Sequence, residues 1–134
     1  MISFENTKAL NSNFTYASKL RTLSIKLKDD GSQTFATVFT NCYALENLTI
    51  IGKIGQNGFD IHWSTKLTKS SIISIINALL DTEEGKTITL SKTAVNKAFE
   101  TSEGANNGST SSEWITLITP KSNAYNGKWT ITLS

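Results

Sequence analysis

The sequence predicts an α/β right-handed solenoid, with a parallel sheet on one face and helices on the other. Three observations predict it: an internal offset of 25 residues, short segments in which polar and apolar residues alternate, and amphipathic stretches at helical spacing between the later segments. A chain of 134 residues fits a single domain, 1–134, and can bury about two-thirds of its unfolded surface.

The offset comes first because it sets the architecture. Residues 14–25 align without gaps on 39–50, with Phe14 on Phe39, Thr15 on Thr40, Leu20 on Leu45, Leu23 on Leu48 and Ile25 on Ile50. Leu20, Leu23, Ile25 and Leu45, Leu48, Ile50 share an L-x-x-L-x-L spacing, and both that spacing and the period suit leucine-rich repeats. The C-terminal half carries a second echo. Residues 87–91 recur letter for letter as 130–134, each copy alternating polar and apolar residues as a half-buried strand does. Residues 60–64 alternate in the same way. Strands are therefore expected near 22–27, 47–51, 59–64, 86–91 and 128–133.

Helices fill the later connections. Thr68 is a candidate N-cap before Ile72, Ile73, Ile75, Ile76, Leu79 and Leu80, which form one apolar stripe. Residues 92–101 read as a second helix with Val95, Ala98 and Phe99 inward. A third, capped by Ser111 or Ser112, carries Trp114, Ile115, Leu117 and Ile118 and stops near Pro120. Residues 102–110 read as a loop. Strand–helix–strand order implies parallel pairing with right-handed crossovers. The strand residues Leu23, Ile25, Leu48, Ile50, Ile61, Trp63, Ile88, Leu90, Ile131 and Leu133 are expected to face the core. Residues 2–10 match the repeat weakly and read as a cap or an edge, and an open edge there suggests self-association.

With those residues in view, Phe39 to Ile50 resembles the repeat of BspA-like leucine-rich repeat surface proteins, roughly F-x-N-C-x-x-L-x-x-L-x-I. Phe14 to Ile25 is a degenerate copy with Ala17 in place of the Cys. From Trp63 onward the chain is similar to the C-terminal end of such proteins in gut bacteria and their phages. The resemblance implies a curved parallel sheet, display at the cell surface or outside the cell, and a role in adhesion or binding without catalysis.

Composition narrows the chemistry. Thirteen Lys and Arg against eleven Asp and Glu give a net charge of +2, and Arg21 is the only arginine, which argues against nucleic acid as a partner. No window approaches the ~18 apolar residues of a membrane span. The first six residues lack a basic stretch leading into an apolar one, so the chain reads as intracellular or as a fragment of a longer exported protein. One Cys allows no intrachain disulfide and no multi-cysteine zinc site. No cofactor is implied.

Individual groups point to little catalysis. Cys42 as a nucleophile would need His62, the sole imidazole, as its base. A small residue filling a buried turn, as Ala17 does one copy earlier, explains Cys42 better. His62 has only Asp60 nearby in sequence, a poor metal site. The pairs Asp29–Asp30 and Glu83–Glu84 flank glycines and read as solvated turns. The glycines of 52–58 lack the G-K-[ST] of a phosphate loop. Asn13, Asn47 and Asn107 match the glycosylation pattern, as chance allows in a chain with 16 Ser, 19 Thr and 12 Asn.

What remains is the outward strand face: Ser24, Lys26, Thr49, Ile51, His62, Ser64, Thr87, Thr89, Thr130 and Thr132. A ladder of small hydroxyls with one His and one Lys suits hydrogen bonding to a protein or glycan ligand. The same threonines also have good strand propensity and need no ligand to explain them. The leading expectation is a binding or adhesion module. Its rivals are a structural cap that binds nothing and a small hydrolase built on Cys42 and His62.

Overall fold

Leu23, Ile25, Leu48 and Ile50 are all buried while their neighbours Ser24 and Thr49 are not, which is the polarity a one-sided strand imposes on its sequence. The computed structural model describes residues 1–6, 9–10, 14–35 and 38–134. Its elements run β1 (Ile2–Ser3), β2 (Ala9–Leu10), β3 (Thr22–Lys26), β4 (Thr34–Phe35), β5 (Asn47–Ile51), β6 (Phe59–Asp60), α1 (Lys69–Ala78), β7 (Lys86–Leu90), α2 (Lys92–Ala98), a 3-10 turn (Gly108–Thr110), α3 (Ser112–Ile118) and β8 (Trp129–Leu133).

Among the described residues, all paired strands are parallel, but they do not form one sheet. β1-β3-β5 and β6-β7-β8 are two separate three-stranded sheets, and β2 pairs with β4 beside them. The expected right-handed solenoid with one continuous sheet is therefore corrected to an α/β fold with two small parallel sheets. The 25-residue offset is nevertheless the register of the first sheet: Leu23 pairs with Leu48 and Ile25 with Ile50. The echoed pentapeptide is likewise a register, with Thr87 opposite Thr130 and Thr89 opposite Thr132.

The reason for the break lies just past β5. Three successive turns, 14–20, 39–45 and 61–67, share one backbone hydrogen bond. Ala17 donates to Phe14 (3.0 Å), Cys42 to Phe39 (3.2 Å) and Ser64 to Ile61 (3.1 Å). They lie on one another: the Tyr16 amide donates to Thr40 (2.9 Å), and the amides of Glu46 and Thr68 donate to Arg21 and Glu46 (3.0 Å each). After the third turn, however, the chain enters a helix where the first two enter strands. Ser71 Oγ accepts from the Leu48 amide (2.9 Å) and Ser74 Oγ from the Ile50 amide (2.9 Å), so two helix hydroxyls satisfy donors that a fourth strand would have used. Ser71 also donates to the Glu46 carbonyl (2.8 Å). The apolar spacing of Ile72, Ile75 and Ile76, all fully buried, is what selects helix over strand at this point.

The helices begin where their caps are. Thr68, Ser91 and Ser111 each accept from the amide three residues on, at 3.3, 3.1 and 3.2 Å, and start α1, α2 and α3. α1 ends as Leu79 turns extended and pairs with Ile54. Trp129 then reaches across, its indole N–H donating to the Leu80 carbonyl at 2.9 Å. Gly55 lies so close to Gly31 that a side chain would fall 2.2 Å from the Gly31 carbonyl oxygen, and a side chain on Gly52 would meet Leu27 in the same way. The glycines of 52–58 thus serve close backbone packing. One hydrophobic cluster joins strands from both three-stranded sheets to the three helices, including Trp114 and Trp129 as expected.

Candidate functional site

The face of the second sheet opposite the core holds the densest set of the expected contact residues. Parallel register puts Asp60, Thr89 and Thr132 in one row across β6, β7 and β8, and Thr87 beside Thr130 in the next. Thr130 and Thr132 are exposed, and Thr87 and Thr89 are half-buried. Asn57 Oδ1 accepts from the Thr87 amide (2.7 Å), and Asn123 donates to Thr130 Oγ1 (2.8 Å), so polar side chains extend the second row at both ends.

Asp60 also ends its strand. Its Oδ1 accepts from the His62 amide (3.0 Å) and lies 2.7 Å from His62 Nδ1, folding the chain into a turn at the residue after Ile61. The strand expected over 59–64 is therefore only two residues long, and His62 sits on a turn rather than a strand. Its ring stacks on Trp63, with centroids 3.9 Å apart and planes at 31°. Each member of the Asp60–His62 pair keeps about a third of its side chain exposed, at 35% and 33%. With Nδ1 held by the carboxylate, Nε2 is the nitrogen left for another partner.

Three expectations are corrected here. Ser64 is fully buried, its hydroxyl donating to the Cys42 carbonyl (2.8 Å), so it leaves the outward ladder. Trp63 is half-buried rather than in the core, because the turn at Asp60 rotates it out of the strand alternation. The ladder itself is not continuous. Ser24 and Thr49 are neighbours on the first sheet, while the four threonines belong to the second. Lys26 is ion-paired with Glu5 at 3.1 Å, and Ile51 opposite it is exposed.

The thiol reading also fails on geometry. Cys42 is inaccessible, its Sγ donates to the Phe14 carbonyl (3.0 Å), and burial raises its pKa, so the nucleophilic thiolate is disfavoured. Asp30 accepts from the Ser32 amide (3.0 Å), and hydrogen bonding from Ser32 holds its carboxyl below the usual range, as in an ordinary Asx turn. Asn107 is tied to Thr101 through both amide atoms (2.8 and 2.7 Å), and Asn47 is exposed on β5, while Asn13 lies outside the described residues. Among the described residues, no three His, Cys, Asp or Glu side chains gather as a metal site. Among the same residues, no helix is long and apolar enough to cross a membrane.

The sequence reading missed the third turn. It sits at an offset of 22 residues, Ile61 replaces Phe39 and Ser64 replaces Cys42, so neither period nor identity betrays it. Burial would have: Ala17, Cys42 and Ser64 are all small, and Leu20, Leu45 and Leu67 follow each by three residues. No family model, curated protein or solved structure matches the chain.

Proposed function

We propose that the chain is a non-enzymatic binding or adhesion module of a bacterial or phage surface protein, recognising a protein or glycan through the strand face of its second sheet. The row Asp60–Thr89–Thr132, with His62 locked onto Asp60, is the observation that carries this reading. A carboxylate oxygen, an imidazole nitrogen and hydroxyls on adjacent strands supply acceptors and donors at fixed spacing. They are held on backbone whose geometry costs nothing further on binding.

The test is a screen of immobilised bacterial and host glycans and glycoproteins against the intact chain and against the triple variant His62→Ala, Thr89→Val, Thr132→Val. Binding that the variant loses supports the reading; binding that it keeps overturns the assignment to this face. A second reading, a terminating piece that closes a parallel sheet and binds nothing, is favoured by the Ser71 and Ser74 hydroxyls sealing the edge of β5. No binding in any arm of the screen supports it. Self-association belongs to the same proposal. Among the described residues, β1 is the outer strand of the first sheet, Ile2 is exposed, and α1 closes the opposite edge, so copies joined there stop at two. Light scattering that stays monomeric across a concentration range rejects it.

A further inference from the structure

We infer that the stacked turns 14–20, 39–45 and 61–67 form a second binding surface, for an extended anionic polysaccharide that carries a carboxylate on alternate sugars. This goes beyond the strand-face reading and, apart from the contact of Trp63 with His62, lies on different residues. Each turn presents one aromatic side chain. Tyr16 is 72% exposed, Tyr43 is 52% exposed, and Trp63 is half-buried with its ring against His62. Tyr16, Asn41 and Trp63 occupy the same position of successive turns, Tyr16 and Asn41 in the left-handed region and Trp63 outside it, and the Tyr43 hydroxyl donates to Asn41 Oδ1, which ties that side chain to the middle turn. Flat apolar rings beside hydrogen-bonding groups are the surface that sugar rings stack on, C–H face to π face. The first two turns are in hydrogen-bonded register through the Tyr16 amide and the Thr40 carbonyl, and backbone so paired lies about 4.8 Å apart, a rise comparable to one pyranose unit.

Charge selects the class of glycan. The three turns contain no Asp or Glu, and the carboxylates that flank them, Glu46 and Asp60, are held by Arg21 and His62. Lys19 and Lys66 occupy the same position of the first and third turns, Ala44 occupies it in the middle turn, and both lysines are exposed. Neither lysine joins an ion pair found among the described residues. Two unpaired cations two turns apart, about 10 Å by strand spacing, match carboxylates on every second sugar. Backbone strain marks the same surface. Tyr16 has φ 64°, in the left-handed region that Asn41 also occupies at φ 61°. A bulky aromatic in that conformation is costly, and such residues concentrate where a side chain must be displayed.

The experiment is titration calorimetry of the full chain with oligosaccharides of alternating glucuronate and N-acetylglucosamine. A neutral chito-oligosaccharide and a single-stranded RNA of equal charge serve as comparison probes. The expected result is binding of the uronate chain that weakens with salt and exceeds either comparison probe by at least about tenfold. The variant Lys19→Gln, Lys66→Gln should lose about tenfold of that affinity at an unchanged melting temperature, since both side chains are exposed. Tyr43→Ser should weaken it by a similar factor. Equal binding of the neutral chain or of the RNA, undiminished binding by the lysine variant, or no binding of the uronate chain overturns the inference. The strand-face triple variant is run alongside. A ligand lost by that variant but kept by the lysine variant leaves the strand-face reading standing and removes this one.

Discussion

The Ser64 hydroxyl donates to the Cys42 carbonyl at 2.8 Å, one turn above the place where Cys42 itself reaches back, Sγ to the Phe14 carbonyl, at 3.0 Å. Two different side chains at the same turn position thus do the same work, each satisfying a carbonyl of the turn beneath. Ser64→Ala leaves the Cys42 carbonyl with only the longer bond from the Leu45 amide (3.4 Å) and should cost about 0.5–1.5 kcal/mol in urea unfolding. Ser64→Cys, which restores the donor used one turn earlier, should recover part of the loss.

Burial of the Cys42 thiol gives a second expectation. The group is inaccessible and its pKa is raised by desolvation, so a thiol reagent should label it only as fast as the protein opens. Cys42→Ala should fold, at a cost of about 1–2 kcal/mol for the lost packing, because Ala17 already fills the equivalent place. Rapid labelling of the native protein would contradict both statements.

Ser71 and Ser74 close the edge of β5, and removing them exposes it. Each Ser→Ala change strands one strand amide, Leu48 or Ile50, and should destabilise the protein by about 1–3 kcal/mol. The double variant should also associate beyond the pair that the parent forms through β1, since a second unpaired parallel edge is a further template for another chain. Size-exclusion chromatography with light scattering reads the second effect and urea titration the first.

Tyr16→Asn tests whether display is bought with stability. Asn tolerates the left-handed conformation that Tyr16 holds at φ 64°, as Asn41 does in the next turn. The melting temperature should rise, with a gain of up to about 1 kcal/mol. Affinity for the uronate chain should fall. A variant that is both more stable and equally good at binding would remove Tyr16 from the surface.

Acid should loosen one ion pair. Lys121 is largely buried, 12% exposed, and donates both to the Leu79 carbonyl (2.7 Å) and to Asp81 (2.8 Å), which is itself 89% exposed. The Lys121 hydrogen bond, and then its charge, holds the Asp81 carboxyl below its ordinary range. A carboxyl whose folded pKa is depressed contributes stability above its unfolded value and loses it as pH falls through the folded one. Asp81→Asn should therefore be destabilising at neutral pH, by less than about 1 kcal/mol for so exposed a partner. The gap to the parent protein should close as pH falls below the ordinary carboxylate range, where the parent's Asp81 is protonated as well. Thermal melts across that range check the sign.

Much of the strand layout was legible because periodicity and identity speak directly about register. Leu23 on Leu48 and Thr87 on Thr130 are sequence alignments that became hydrogen-bonded pairs. The break between the sheets was harder to read. It depends on Ser71 and Ser74 acting as surrogate strand partners, and serine in a helix carries no signal of that kind until the neighbouring strand is in place. The candidate site suffered from a single local bond. Alternation over 60–64 predicts a strand, but Asp60 captures the His62 amide and turns the chain, which sends Ser64 inward and Trp63 partly outward. Short polar side chains that can bond their own backbone override alternation, and composition alone does not say when they will.

Among the described residues, no strand pairs with its neighbour across a hairpin. Of the paired strands, even the nearest partners along the chain, Ile2 with Ile25, are separated by more than twenty residues, and Lys86 waits for Trp129. Assembly must therefore close long loops before any ladder rewards it, a topology of high contact order. Such a protein is expected to refold in milliseconds to seconds rather than microseconds, however well its finished core is packed.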